Sequence, residues 1–211
     1  MSDTALRRGT RGGRFVVIAG PDGIGKSSLS TALIERLTAA GHPVWHFHHR
    51  LRALPASAAS LRPTTNPHAL SPYPLWLSTA KVLYLFADEL LGWLVKVRTF
   101  RLRGGWVVVE RGWWDLAVDP FRYRISPRRR LVVSLGRLLP APDLTIILSA
   151  PEEVIQSRKT ELGPEELARQ LRLWKSVAED IPRAALVDAS QPIETIVDSI
   201  SDMLNLGARK P

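Results

Sequence analysis

Gly20-Pro21-Asp22-Gly23-Ile24-Gly25-Lys26-Ser27 fits G-x-x-x-x-G-K-S/T, the spacing of a phosphate-binding loop, and its reading decides the fold. Glycines let successive backbone N–H groups curl around a phosphate. A helix starting where the loop ends points its positive dipole end at the same place. The flanks supply the context that such a loop needs. Phe15 to Ala19 is a short apolar run with Val16, Val17 and Ile18, as a buried strand requires, and Ser28 to Ala40 puts Leu29, Leu33 and Leu37 on one helical face. In this arrangement Lys26 reaches the β- and γ-phosphates of a nucleotide and the Ser27 hydroxyl ligates Mg²⁺. The nucleotide-binding residues of the loop are Gly20, Asp22, Gly23, Ile24, Gly25, Lys26, Ser27 and Ser28. The competing reading, a glycine-rich turn without a ligand, does not account for the strand before it and the helix after it.

The chain has 211 residues, 45% of them hydrophobic, enough for one sizeable core. We expect a single domain over residues 14–211 behind a disordered basic tail, residues 1–13. No cysteine is present, so disulfides and thiolate metal sites are excluded, and a reducing compartment, the cytoplasm, is expected. The first apolar run feeds the loop and does not read as a signal peptide. Leu75 to Val97 is the most membrane-like stretch, but Lys81, Asp88, Glu89 and Lys96 interrupt any span of about 20 apolar residues. A buried helix and no membrane association are expected there. The net charge of +9, from 29 basic and 20 acidic residues, gives a weak general attraction to polyanions. The basic residues are scattered over Arg7–Arg14, Arg98–Arg103 and Arg122–Arg130 with no nucleic-acid motif, so nucleic acid is not expected as a partner.

Along the chain, Gly41-His42-Pro43 stops the first helix and Val44 to Phe47 reads as a second strand. Residues 48–74, rich in Pro, Ala and Ser, form an aperiodic loop of a length that signals function or disorder. Trp76 to Thr99 is the long helix, broken by Gly104-Gly105 before the apolar strand Trp106 to Glu110. Arg111 to Ile125 reads as irregular and Ser126 to Leu139 as a helix opened by Pro127. Leu144 to Leu148 is a fourth strand, Pro151 to Lys159 and Pro164 to Asp180 are helices, Ala184 to Val187 is a fifth strand, and Ile193 to Leu204 is a last helix. Five short strands alternating with helices predict an α/β three-layer sandwich, a five-stranded parallel sheet with helices on both faces.

Ligands of such a sheet sit at the carboxyl ends of its strands. That edge collects the loop, then His46, His48, His49 and Arg50, then Glu110 and Arg111, then Arg158 and Lys159, then Asp188 to Pro192. Glu110 closes an apolar strand and so needs a partner. His46 and His48 alternate onto one strand face, a spacing that metal sites use; without a further ligand, phosphate contact or packing is the better reading.

From Phe15 to Leu204 the chain resembles the thymidylate kinase family of nucleoside monophosphate kinases. The likeness rests on Gly20 to Ser27, on Val107-Val108-Val109-Glu110-Arg111, on Leu148 to Arg158 and on Val187 to Pro192. It implies that ATP and Mg²⁺ are the cofactors and that a small-molecule phosphoryl acceptor is the partner, with a homodimer left open. It implies that Asp22 contacts the acceptor, that Glu110 lies near the metal with Ser27, that Arg111 takes the acceptor phosphate, and that Arg158 and Lys159 enter a short lid at 158–163. Asp188 and Gln191 fall beside the adenine. Arg50, Phe86, Trp113 and Arg122 complete the acceptor side. Lys26, Glu110, Arg111 and Arg158 are the catalytic candidates. Glu110 stands where the family has Asp, and Glu89 where it has an arginine that grips the acceptor phosphate. The expected activity is therefore γ-phosphoryl transfer from ATP to a nucleotide or related acceptor, with a nucleoside, sugar or antibiotic-type hydroxyl as the alternative acceptor. A non-catalytic nucleotide- or polyanion-binding protein is the reading from another class. A guanine-selective switch is disfavoured, because Asn66 and Asn205 stand in no Asn-Lys-x-Asp motif.

Overall fold

The computed structural model describes residues 13–51, 53–54, 71–126, 128–158 and 163–204. The basic tail up to residue 12, most of the 48–74 loop, Pro127 and lid residues 159–162 lie outside the described residues. Runs of β-branched and aliphatic residues make five strands: β1 Phe15–Ala19, β2 Val44–Phe47, β3 Trp106–Glu110, β4 Leu144–Ser149 and β5 Ala184–Asp188. They pair in parallel in the order β2-β3-β1-β4-β5, so β1, which carries the glycine loop, is central. The helices are α1 Lys26–Ala39, α2 Leu75–Gly92, α3 Thr99–Leu102, α4 Asp115–Val118, α5 Arg129–Gly136, α6 Glu152–Arg158, α7 Pro164–Ala178 and α8 Ile193–Met203. This is the α/β phosphate-loop architecture that the alternation predicts.

The period of two along β1 divides the core. Val16 and Ile18 join Leu29, Leu33 and Leu37 of α1 and Val197 and Ile200 of α8 on one face. Val17 faces the other way with Leu51 and Val97, and Ala19 with Val82, Trp113 and Trp174. Fully burying each large side chain stabilises the fold by about 1.5–3 kcal/mol. The stop of α1 is as expected. Gly41 adopts φ 81°, and the Gly41 and His42 amides donate to Thr38 O at 2.9 Å and Leu37 O at 3.0 Å.

Two expectations are corrected. The long helix runs from Leu75 through a widened π-helical stretch, Trp93–Arg98, into α3, and it is not buried on all sides. Its inward positions include Ser78, Val82, Asp88, Glu89 and Gly92, whereas Leu83, Tyr84, Leu91, Leu94 and Val95 point outward. The inner face is small and polar because Gly92 meets the backbone of Leu51 and Glu89 meets Arg50. The segment after β3 is not irregular throughout: it forms α4 and a 3₁₀ turn, Phe121–Tyr123, closed by Arg124 in the left-handed region.

At the amino-terminal edge of the sheet, Asp143 acts as a clamp. Its Oδ2 accepts from the Phe15 amide at 2.8 Å and lies 2.9 Å from the Arg101 guanidinium. Gly13 joins it by donating to Arg101 O at 3.2 Å, while Arg101 Nε donates to Gly13 O at 2.9 Å. Among the described residues, no helix is long and apolar enough to cross a membrane.

Candidate active site

Three glycines with positive φ shape the loop after β1: Gly20 at 141°, Gly23 at 80° and Gly25 at 105°. A Cβ on Gly20 would also come within 2.9 Å of Leu148 O, so two constraints meet there. Helix α1 begins at Lys26 directly behind Gly25, with no side-chain cap and no acidic residue in its first turn. Its first amides and its positive end are thereby left for an anion. Ile24 is buried and anchors the loop in the core, whereas Ser27 and Ser28 are exposed.

Lys26 is 6% exposed and folds back over its own loop, donating to Gly20 O at 2.9 Å and Pro21 O at 2.6 Å, with Asp22 Oδ1 at 3.3 Å. Burial, then the charge of Arg111, pulls its ammonium below the ordinary lysine range against the opposing pull of Asp22 and Asp115. Asp22 is gripped by the guanidinium groups of both Arg111 and Arg122. Burial acts to raise its carboxyl, but Lys26, Arg111 and Arg122 outweigh that and hold it well below the usual range. Arg111 reaches Asp22 from a left-handed backbone, φ 63°, with its amide donating to Ile18 O at 3.0 Å. For a residue other than glycine such a conformation costs about 1–3 kcal/mol.

Glu110, 2% exposed at the end of β3, collects four polar partners. Ser27 Oγ donates to its Oε2 at 2.8 Å and Ser30 Oγ to its Oε1, while His46 Nε2 lies 2.9 Å and His48 Nδ1 3.1 Å away. Burial would raise this carboxyl, but the Ser30 and Ser27 hydroxyls and the two imidazoles outweigh it and lower it. The Ser27 hydroxyl and the Glu110 carboxylate are hard oxygen donors side by side at the positive end of α1, and this pair fits Mg²⁺.

On the side of α2, Arg50 is 8% exposed. It places Nε 3.2 Å from Glu89 Oε2, donates to Leu85 O at 3.0 Å and lies 3.8 Å from Asp88 Oδ2. Burial pushes Glu89 up to about 7 even with Arg50 beside it. Glu89 thus points into the fold at a buried arginine. Asp115, at the start of α4, is buried with Oδ2 unpartnered among the described residues, and burial pushes it up to about 6. Phe86 packs edge-on against Trp113, with ring centroids 5.9 Å apart. Trp113 is 3% exposed and donates Nε1–H to Val132 O at 2.8 Å, so its ring belongs to the core beside α5. Asp188 is exposed at the end of β5, where its Oδ1 accepts from the Ser190 amide at 2.9 Å and hydroxyl at 2.7 Å, and Gln191 is exposed beside it. Arg158 ends α6, and Lys159 lies outside the described residues.

Of the sequence-derived candidates, the fold gathers Asp22, Lys26, Arg111 and Arg122 into one group and Ser27 and Glu110 into another, and the two adjoin along the chain at Lys26–Ser27 and Glu110–Arg111. Reading the residues alone missed two residues, Ser30 and Asp115, and one pairing. Ser30 could have been found three positions after Ser27 on the same helical face. Asp115 carries no motif. The partnership of Glu89 with Arg50 spans 39 residues, and no local signal announces it.

No protein-family model matches the chain. It is 26% identical over 207 residues to a thymidylate kinase of Chromohalobacter salexigens, covering 90% of this chain and 93% of that protein. It is 28% identical over 220 residues to a thymidylate kinase of Thermomicrobium roseum, covering 93% and 99%. A probable thymidylate kinase of Pyrobaculum aerophilum is 24% identical over 201 residues, covering 90% and 95%.

Proposed function

We propose that this chain, a divergent thymidylate-kinase-like protein, is an ATP- and Mg²⁺-dependent phosphotransferase that moves the γ-phosphoryl group to a nucleotide or a closely related phosphorylated acceptor. The observation that carries this reading is the 2.8 Å contact of Ser27 with Glu110, next to Lys26 and two arginines, at the mouth of a strand–loop–helix unit. Lys26 exchanges the carbonyls of Gly20 and Pro21 for phosphate oxygens when nucleotide enters, which adds a second anion to Asp22 beside its buried charge. Arg111 and Arg122 exchange Asp22 for acceptor or γ-phosphoryl oxygens, trading one charge-assisted pairing for another. Asp22, freed of its arginines, is then positioned to accept a hydrogen bond from the acceptor. Mg²⁺, when bound by Ser27 and Glu110, would supply charge neutralisation on the phosphates.

The replacement of the family's arginine by Glu89 narrows the acceptor question. Arg50, supported by Glu89, supplies a cation on this side from the chain after β2, so the positive charge enters from a different element. The experiment is incubation with ATP, Mg²⁺ and a panel of nucleoside monophosphates, nucleosides and sugars, read by mass of the product. Turnover with a nucleoside monophosphate supports the reading, turnover with a neutral hydroxyl compound alone moves it to a hydroxyl kinase, and ATP binding without any product refutes it. The homodimer is proposed on the outward apolar residues of α2 and of the π-helical stretch after it, Leu83, Tyr84, Leu91, Leu94 and Val95.

A further inference from the structure

We propose that His46, His48 and Glu110 form a second cation site, one for a borderline transition-metal ion such as Zn²⁺, which shares the Glu110 carboxylate with the Mg²⁺ pair. The site is built by strand register. β2 and β3 run parallel with His46 opposite Val108, so Glu110, two residues on, projects to the same side past the end of β2. His48 follows His46 by two residues onto that side, and the two rings are 5.0 Å apart. One ring nitrogen of His46, one of His48 and a carboxylate oxygen of Glu110 all lie within 4.8 Å of one another.

Ligand spacing fits the ion. Zn–N bonds of about 2.0–2.1 Å and Zn–O bonds of about 2.0–2.2 Å at a tetrahedral angle put ligand atoms about 3.3–3.5 Å apart. His46 Nε2 lies 2.9 Å from Oε1 and His48 Nδ1 3.1 Å from Oε2, so each imidazole already faces one oxygen of the carboxylate, and opening these contacts by a few tenths of an ångström admits an ion between the rings and the carboxylate. His48, whose side chain is 63% exposed, can make that shift, and its exposure leaves the remaining coordination position to water or a phosphate oxygen. The carboxylate is already oriented from behind by the Ser30 hydroxyl, the kind of outer support that metal sites carry. Two imidazoles select against Mg²⁺, which favours oxygen, and for Zn²⁺, Co²⁺ or Ni²⁺. An ion held there draws Glu110 toward β2 and away from Ser27, so the two cations compete for one carboxylate. This goes beyond the proposed phosphotransfer and does not depend on it.

The test uses the full, untagged chain without nucleotide. Zn²⁺ affinity is measured by competition with a chromophoric chelator, and Co²⁺ is used as a visible-absorbing probe of tetrahedral ligation. The wild type is expected to bind one equivalent of Zn²⁺ and to give a Co²⁺ absorption band. The variant H46A/H48A is expected to lose at least about tenfold in Zn²⁺ affinity and the Co²⁺ band, with the helical circular dichroism unchanged. H49A is expected to bind as the wild type does. Equal affinity in the wild type and H46A/H48A, including no binding by either, overturns the site and leaves the imidazoles as hydrogen-bond partners of Glu110. Should the double variant misfold, H46Q and H48Q are compared singly, and affinity unchanged in both has the same meaning. A chain that binds Zn²⁺ in this way but phosphorylates nothing would leave the metal site standing and sink the kinase reading alone.

Discussion

Lys26 and Glu110 sit in wells of opposite character, and their substitutions should fail differently. Lys26→Ala removes the cation proposed to meet the phosphates and should lower turnover at least a hundredfold, about the scale on which single charge-stabilising donors act. Glu110→Gln keeps the shape but cannot hold a divalent cation as well, so the loss of turnover should be partly recovered by raising Mg²⁺, whereas no Mg²⁺ concentration recovers Lys26→Ala. Initial rates at several Mg²⁺ concentrations separate the two. Asp115 gives a pH signature of the fold itself. Its carboxyl is raised from 3.8 to about 6 in the folded chain, so the folded state holds the proton more tightly than the unfolded one. The stability from that extra proton is fully present below pH 4 and is lost as pH rises through 6, a fall of up to about 3 kcal/mol at 1.36 kcal/mol per unit. Urea denaturation of wild type and Asp115→Asn between pH 4 and 7.5 should show the variant gaining relative stability as pH rises. A constant difference across that range would mean that Asp115 is ionised throughout.

At the scale of elements, legibility followed how much each segment depends on its own residues. β1, β2 and β3 were readable to the residue because apolar runs bounded by glycine, proline or charge admit few other conformations. The glycine loop, with Lys26 and Ser27, was legible for the same local reason. The orientation of α2 was not, because Ser78, Asp88 and Glu89, polar residues that would ordinarily mark an outer face, turn inward. Its inner face is set by Leu51 and Arg50, which are distant in the chain. Gly92 tests that packing. Alanine is favoured over glycine in a helix by up to about 1 kcal/mol, but a Cβ there would stand 2.7 Å from Leu51 O, a backbone atom. Overpacking of this kind costs about 1–3 kcal/mol, so Gly92→Ala should lower the denaturation midpoint; a rise would show that the contact yields. The opposite face of α2 and of the π-helical stretch makes the other prediction. L91D/V95D should leave helical content intact and shift sedimentation from dimer to monomer, and a wild type that sediments as a monomer removes the dimer proposal.

For the whole molecule, ligand binding and stability should be linked through the glycine loop. ATP that binds the folded chain alone stabilises it by about 2.7 kcal/mol at a hundred times its dissociation constant, so ATP should raise the thermal midpoint of the wild type. Lys26→Ala should show little of that rise at the same ATP concentration; an undiminished shift would mean that nucleotide binds elsewhere. The same parallel sheet has a second edge with a different character. There Asp143, Arg101 and Gly13 tie the start of β1 to its neighbours, while the glycine loop, Glu110 and the arginines occupy the far ends of the strands. A tether grafted ahead of Gly13 therefore anchors the molecule by its clamped edge and leaves the mouth of the loop turned toward solution. Immobilised that way on a sensor surface, the chain should capture nucleotide with the affinity it has when free.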